Sequence, residues 1–160
     1  VSAPPAIFSH LTKRNLPIVH LKRNILHIYI SHAHAMATNQ WQLMAGEEAK
    51  TQTLEIDIDD MLGYLTRKQF EQEQVDAWVR GTDSYIEVWY EDLFGPRATP
   101  SAFQPLSDFL GIENLGAEQT AFRKQLTKPY DQLIENYDQV VRALRRSPHA
   151  RLLGSERSVG

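Results

Sequence analysis

Residues 17–34 read P-I-V-H-L-K-R-N-I-L-H-I-Y-I-S-H-A-H, and the fold turns on how this stretch divides. Ile18-Val19-His20-Leu21 is a short apolar and β-branched run introduced by Pro17, which predicts a buried strand. Lys22, Arg23 and Asn24 then form a polar step. From there Ile25, Leu26, Tyr29, Ile30, Ala33 and Ala37 recur at the spacing of an amphipathic helix that fades near Thr38 to Gln40. The reading is strand, polar corner, helix. A helix N-terminus just past a strand end offers backbone N–H groups and the positive end of a dipole, and an arginine there adds a planar fork suited to phosphate. The corner has the makings of an anion site.

The residues of this corner resemble the 3′-phosphate-binding segment of sulfotransferases, most closely the bacterial carbohydrate-type branch. The resemblance rests on Leu21-Lys22-Arg23-Asn24-Ile25-Leu26, on Ser31 eight residues after the arginine, and on Ala35 and Trp41. It extends through Trp89-Tyr90-Glu91-Asp92-Leu93, similar to the family's Tyr-Glu-Asp-Leu step, then Asp108-Phe109-Leu110-Gly111-Ile112 and Leu133-Ile134-Glu135-Asn136-Tyr137 in family order. What it implies is an α/β, P-loop-like sulfotransferase fold with a short parallel sheet flanked by helices. It further implies transfer of a sulfuryl group from 3′-phosphoadenosine 5′-phosphosulfate, the donor substrate, to a hydroxyl on a carbohydrate or other small molecule. By the same resemblance Arg23 and Ser31 hold the 3′-phosphate, Asn24 supports the corner and Tyr90 lies near the nucleotide.

The family's loop for the 5′-phosphosulfate, with its lysine, serine, glycine and threonine, has no counterpart here. No glycine in the chain is followed by lysine, and residues 1–16 contain no glycine. The expectation is therefore a C-terminal part of the domain over residues 1–146, without the N-terminal strand, donor loop and catalytic base, followed by a polar, mobile tail over residues 147–160. Such a chain is expected to bind without turning over donor, and to pair with a second copy through its open sheet edge. Two other readings stand beside it. A kinase-like nucleotide hydrolase should carry a phosphate loop, and a non-catalytic nucleotide- or partner-binding α/β module should not prefer a 3′-phosphorylated adenosine nucleotide over AMP.

Composition bounds the partners. With 160 residues and 42% hydrophobic content the chain can bury one core. A net charge of −3 argues against a general nucleic-acid binder, which needs a basic face. No apolar run approaches the length of a membrane span. The absence of cysteine excludes disulfides and thiolate metal sites but leaves the compartment open, with the cytoplasm as the expectation.

Along the remaining chain, residues 41–57 read as a loop or weak edge strand, and Ile58 to Arg80 as a long helix capped by Asp57 or Asp59 and ended by Gly81. Tyr85 to Tyr90 alternates as a second strand. Helices are expected over Ser101 to Leu110, Ala117 to Leu126 and Tyr130 to Arg145. By strand alternation Lys22 points away from Arg23 as a surface charge. His27, His32 and His34 read as a polar helix face, because His32 and His34 fall on different faces with no carboxylate at ligand spacing, so no metal is expected. Glu91 and Asp92 diverge on a strand and cap the next turn. Trp78, Trp89, Phe103 and Phe109 read as core.

Overall fold

A computed structural model of the chain describes residues 3–95, 98–113, 115, 126 and 128–155. It is a mixed α/β structure with a two-stranded parallel sheet. The helix expected over Ala117 to Leu126 lies almost wholly outside the described residues. The chain divides into two compact units, residues 1–23 with 67–117, and residues 24–66 with 118–160.

The first unit holds α1 (Ala6–Lys13), β1 (Ile18–Lys22) and β2 (Tyr85–Trp89). It also holds α4 (Tyr90–Phe94), a 3-10 turn over Pro100–Phe103, and α5 (Gln104–Leu110). β1 and β2 pair in parallel with Ile18 opposite Tyr85 and Lys22 opposite Trp89, so the two strands end together. The later part of α3 (Ile58–Val79) belongs to this unit, and Trp78 on it meets Phe8 of α1 with ring centroids 6.3 Å apart. α5 stops where Gly111 takes a φ of +65°, a conformation that suits glycine at a helix end.

Two expectations for this unit need correction. β1 is not a buried strand: Val19 is 40% and Leu21 54% exposed, while their register partners on β2, Ile86 and Val88, are half-buried. Of the aromatic set, Phe103 is buried and Trp78 and Phe109 are half-buried, whereas Trp89 is exposed.

The second unit carries the larger apolar core. α2 (Ile25–Thr38) contributes Ile25, Leu26, Tyr29 and Ile30, and the first part of α3 contributes Met61 and Leu65. Leu54 and Ile56 join them from the irregular segment between these helices. α6 (Tyr130–Leu133) and α7 (Tyr137–Arg145) supply Tyr130, Leu133, Val140 and Leu144. α2 ends at Asn39, which takes the left-handed conformation. α3 begins at Asp57, whose Oδ1 accepts from the backbone N–H groups of Asp59 and Asp60.

The helix expected from Tyr130 to Arg145 is broken in the middle. Ile134 is extended and forms a parallel bridge with Leu54, where Leu54 N–H donates to Leu133 O and Glu135 N–H to Leu54 O. Asn136 seals the break with its side chain, accepting from Ile56 N–H at 3.0 Å and donating to Ile56 O at 2.8 Å. The segment of residues 41–57 thus joins the core through the Leu54–Ile134 bridge and forms no regular edge strand among its described residues. Beyond α7 the chain continues in a 3-10 helix, Ala150–Ser155, with Leu152 and Leu153 packed against the core, where a mobile tail was expected.

Candidate functional site

The site begins with the register of the parallel pair. Because Lys22 stands opposite Trp89, the next residue on each strand, Arg23 and Tyr90, leaves the same end of the sheet. The Arg23 guanidinium carbon lies 4.5 Å from the centroid of the Tyr90 ring. Tyr90 is held in turn by an aromatic row, with Phe94 at 5.0 Å and Phe103 at 5.7 Å beyond that. α4 is kept short by Gly95, where an added Cβ would stand 2.2 Å from Glu91 O. Glu91 and Asp92 form the first turn of α4. On the other side Gln72 of α3 donates to Arg23 O at 3.4 Å. A guanidinium stacked on an aromatic face is a rigid planar fork, and such a fork is the group that engages a phosphate through two hydrogen bonds.

Asn24 and Ser31 belong to the second unit. Asn24 is the N-cap of α2: its Oδ1 accepts from Leu26 N–H at 2.9 Å and its Nδ2 donates to Leu152 O at 3.0 Å. Both polar ends of this buried side chain are thereby used in holding the helix start and the C-terminal turn. Ser31 is half-buried on α2, nearly two turns past the cap, about 10 Å along the axis. The helix begins directly at Ile25.

Sequence reasoning missed three groups. Lys22 is not a surface charge: its side chain is 11% exposed and its Nζ donates to Asp76 Oδ2 at 3.0 Å and Glu87 Oε2 at 3.2 Å. It also lies 5.2 Å from the Trp89 ring centroid. His27 and His34 are buried rather than on a polar face, while His32 stays exposed against Trp41. His149 is buried too, and Thr66 explains its tautomer. The Thr66 hydroxyl donates to Leu62 O, so it accepts from His149 Nε2, which leaves Nδ1 as the unprotonated nitrogen. Burial pushes the imidazoles of His34 and His149 below the ordinary histidine value, with Arg151 adding to the effect on His149. Burial and the hydrogen bond to Asp60 push the Tyr29 hydroxyl up.

No family model matches the chain, and no curated protein or solved structure matches it significantly. No helix among the described residues is long and apolar enough to cross a membrane.

Proposed function

We propose that the chain belongs to a sulfotransferase using 3′-phosphoadenosine 5′-phosphosulfate, and that its residues serve the 3′-phosphate side of the donor. The observation that carries this reading is the stacking of Arg23 on Tyr90 at the shared C-terminal end of two parallel strands. The two residues come from the two stretches on which the family resemblance chiefly rests, far apart in sequence. Ligands of open α/β sheets bind outside the carboxyl ends of the strands, the end from which both residues emerge. In this reading Arg23 supplies the charged fork, Ser31 a neutral hydrogen bond to the same phosphate, and Tyr90 a rigid aromatic backing close to the nucleotide. Asn24 supports the corner through the helix start that it caps.

The reaction class is transfer of a sulfuryl group to a hydroxyl of a carbohydrate or small molecule. By analogy with phosphoryl transfer it depends on in-line positioning, on stabilisation of charge on the transferring group, and on a base for the hydroxyl proton. Arg23, Ser31 and Tyr90 serve the positioning. The second reading is a nucleotide-binding α/β module without transfer, in which the same corner holds a nucleotide but gives no preference for a 3′-phosphate. Both readings require a nucleotide. Calorimetric titration with 3′-phosphoadenosine 5′-phosphate and with AMP tests them: at least tenfold tighter binding of the 3′-phosphorylated nucleotide is expected, and equal affinities would remove the sulfotransferase reading.

A further inference from the structure

A second polar centre lies within the first unit, below the sheet end and apart from the Arg23 guanidinium. His20 and Glu87 are register partners on β1 and β2, so their side chains leave the same face of the sheet. Asp76 reaches them from α3. His20 Nδ1 stands 3.6 Å from Asp76 Oδ1, and one ligand atom from each of His20, Asp76 and Glu87 falls within 4.8 Å of the others. We propose that these three side chains form a divalent-cation site of the zinc type, with one imidazole and two carboxylates as ligands and Lys22 as the resident cation that the metal displaces.

Three observations carry the assignment. Ligands of a tetrahedral zinc at ordinary bond lengths stand about 3.3 Å apart, so the His20–Asp76 pair already has ligand spacing. The remaining contraction falls on Glu87, the most exposed of the three side chains, whose carboxylate is released when the metal displaces Lys22. Asp76 Oδ1 is buried and makes no hydrogen bond with the described residues, a costly state for a carboxylate oxygen and one that a cation between it and His20 relieves. The site also already selects a cation, since the Lys22 ammonium sits on Asp76 Oδ2 and Glu87 Oε2. Three protein ligands leave one position for water or another donor.

The test is calorimetric titration of the full chain at neutral pH with zinc chloride alone, on wild type, His20→Gln, Glu87→Gln and Lys22→Met, each checked for folding by circular dichroism. One zinc per chain is expected. His20→Gln and Glu87→Gln should weaken binding about tenfold or more, in line with the effects of disturbing metal sites. Lys22→Met should tighten it several-fold by removing the competing ammonium. Glu87→Gln changes an exposed side chain and leaves the Lys22–Asp76 pair in place, so it carries the test if His20→Gln fails to fold. Zinc binding that is absent at submillimolar metal, or indifferent to both ligand substitutions, overturns the proposal and leaves the cluster as an ion-pair network around Lys22.

Discussion

Arg23 and Tyr90 are brought within 4.5 Å by strand register alone: each is the first residue beyond a parallel strand whose last residues, Lys22 and Trp89, are paired. If the ring is the backing that holds the guanidinium in place for a phosphate, its face matters and its hydroxyl does not. Tyr90→Phe should bind 3′-phosphoadenosine 5′-phosphate nearly as wild type does. Tyr90→Ala should lose about 1 kcal/mol, the scale of a partly desolvated cation–π contact. Equal losses in the two variants, read by calorimetry, would assign the role to the hydroxyl instead.

Asn24 joins the start of α2 to the C-terminal turn through its two side-chain hydrogen bonds. Asn24→Ala removes a helix cap and leaves Leu152 O without this donor, so it should destabilise the chain by about 1–2 kcal/mol. Urea unfolding followed by circular dichroism measures this. Asn24→Asp, which retains the cap acceptor and loses the donor, should fall between the two.

Leu65 is fully buried in the core of the second unit. Leu65→Ala should cost about 3–5 kcal/mol, the range for a large-to-small change that leaves a cavity. A loss below 1 kcal/mol in urea unfolding would contradict that core.

Stability should fall on acidification below the ordinary histidine value of 6.5. His34 and His149 have lowered pKa values when folded, so between the ordinary value and the folded one the unfolded chain binds more protons than the folded chain. The stability that comes from keeping them neutral is present above that window and is lost as pH falls through it. His149→Gln should flatten the pH dependence of the melting temperature between pH 7 and about pH 5. A slope unchanged from wild type would mean that His149 does not titrate with unfolding.

The sheet makes a prediction about assembly. Among the described residues each strand has one unpaired edge, and Val19 and Leu21 stand exposed on one face. Exposed edges and apolar strand faces promote pairing with another chain. Light scattering at tens of micromolar should report a dimer, and Leu21→Lys should shift it toward monomer. A monomeric wild type would contradict this.

What the sequence made legible is local. The change of period at Lys22-Arg23-Asn24 marks the strand end and the helix start, and the Asp57 cap and Gly81 bracket α3, ending at Val79. What it hid depends on partners distant in the chain. Nothing in the Tyr130–Arg145 pattern announces the break at Ile134, because the break is made by Leu54 and Ile56, about eighty residues away. The histidines of α2 misled for a related reason: this helix is buried around much of its circumference, so its polar positions do not trace a solvent face. For Lys22, alternation gives the side of the sheet but not what α3 places there, and Asp76 is fifty-four positions further on. Of the candidate site, the motifs single out Arg23 and Tyr90 separately, and their stacking comes from the parallel register that no local pattern shows.

Whether Arg23 holds a 3′-phosphate is read by calorimetric titration of wild type, Arg23→Ala, Arg23→Lys and Ser31→Ala with 3′-phosphoadenosine 5′-phosphate and with AMP. For the 3′-phosphorylated nucleotide, Arg23→Ala should lose about 2–3 kcal/mol and Ser31→Ala about 1 kcal/mol, the usual scale for charged and neutral hydrogen bonds. Arg23→Lys should recover only part of the loss, since lysine keeps the charge without the fork. AMP, lacking the 3′-phosphate, should be nearly indifferent to all three substitutions. Equal losses for the two nucleotides would contradict the account and make Arg23 a residue that supports the sheet end rather than one that binds phosphate.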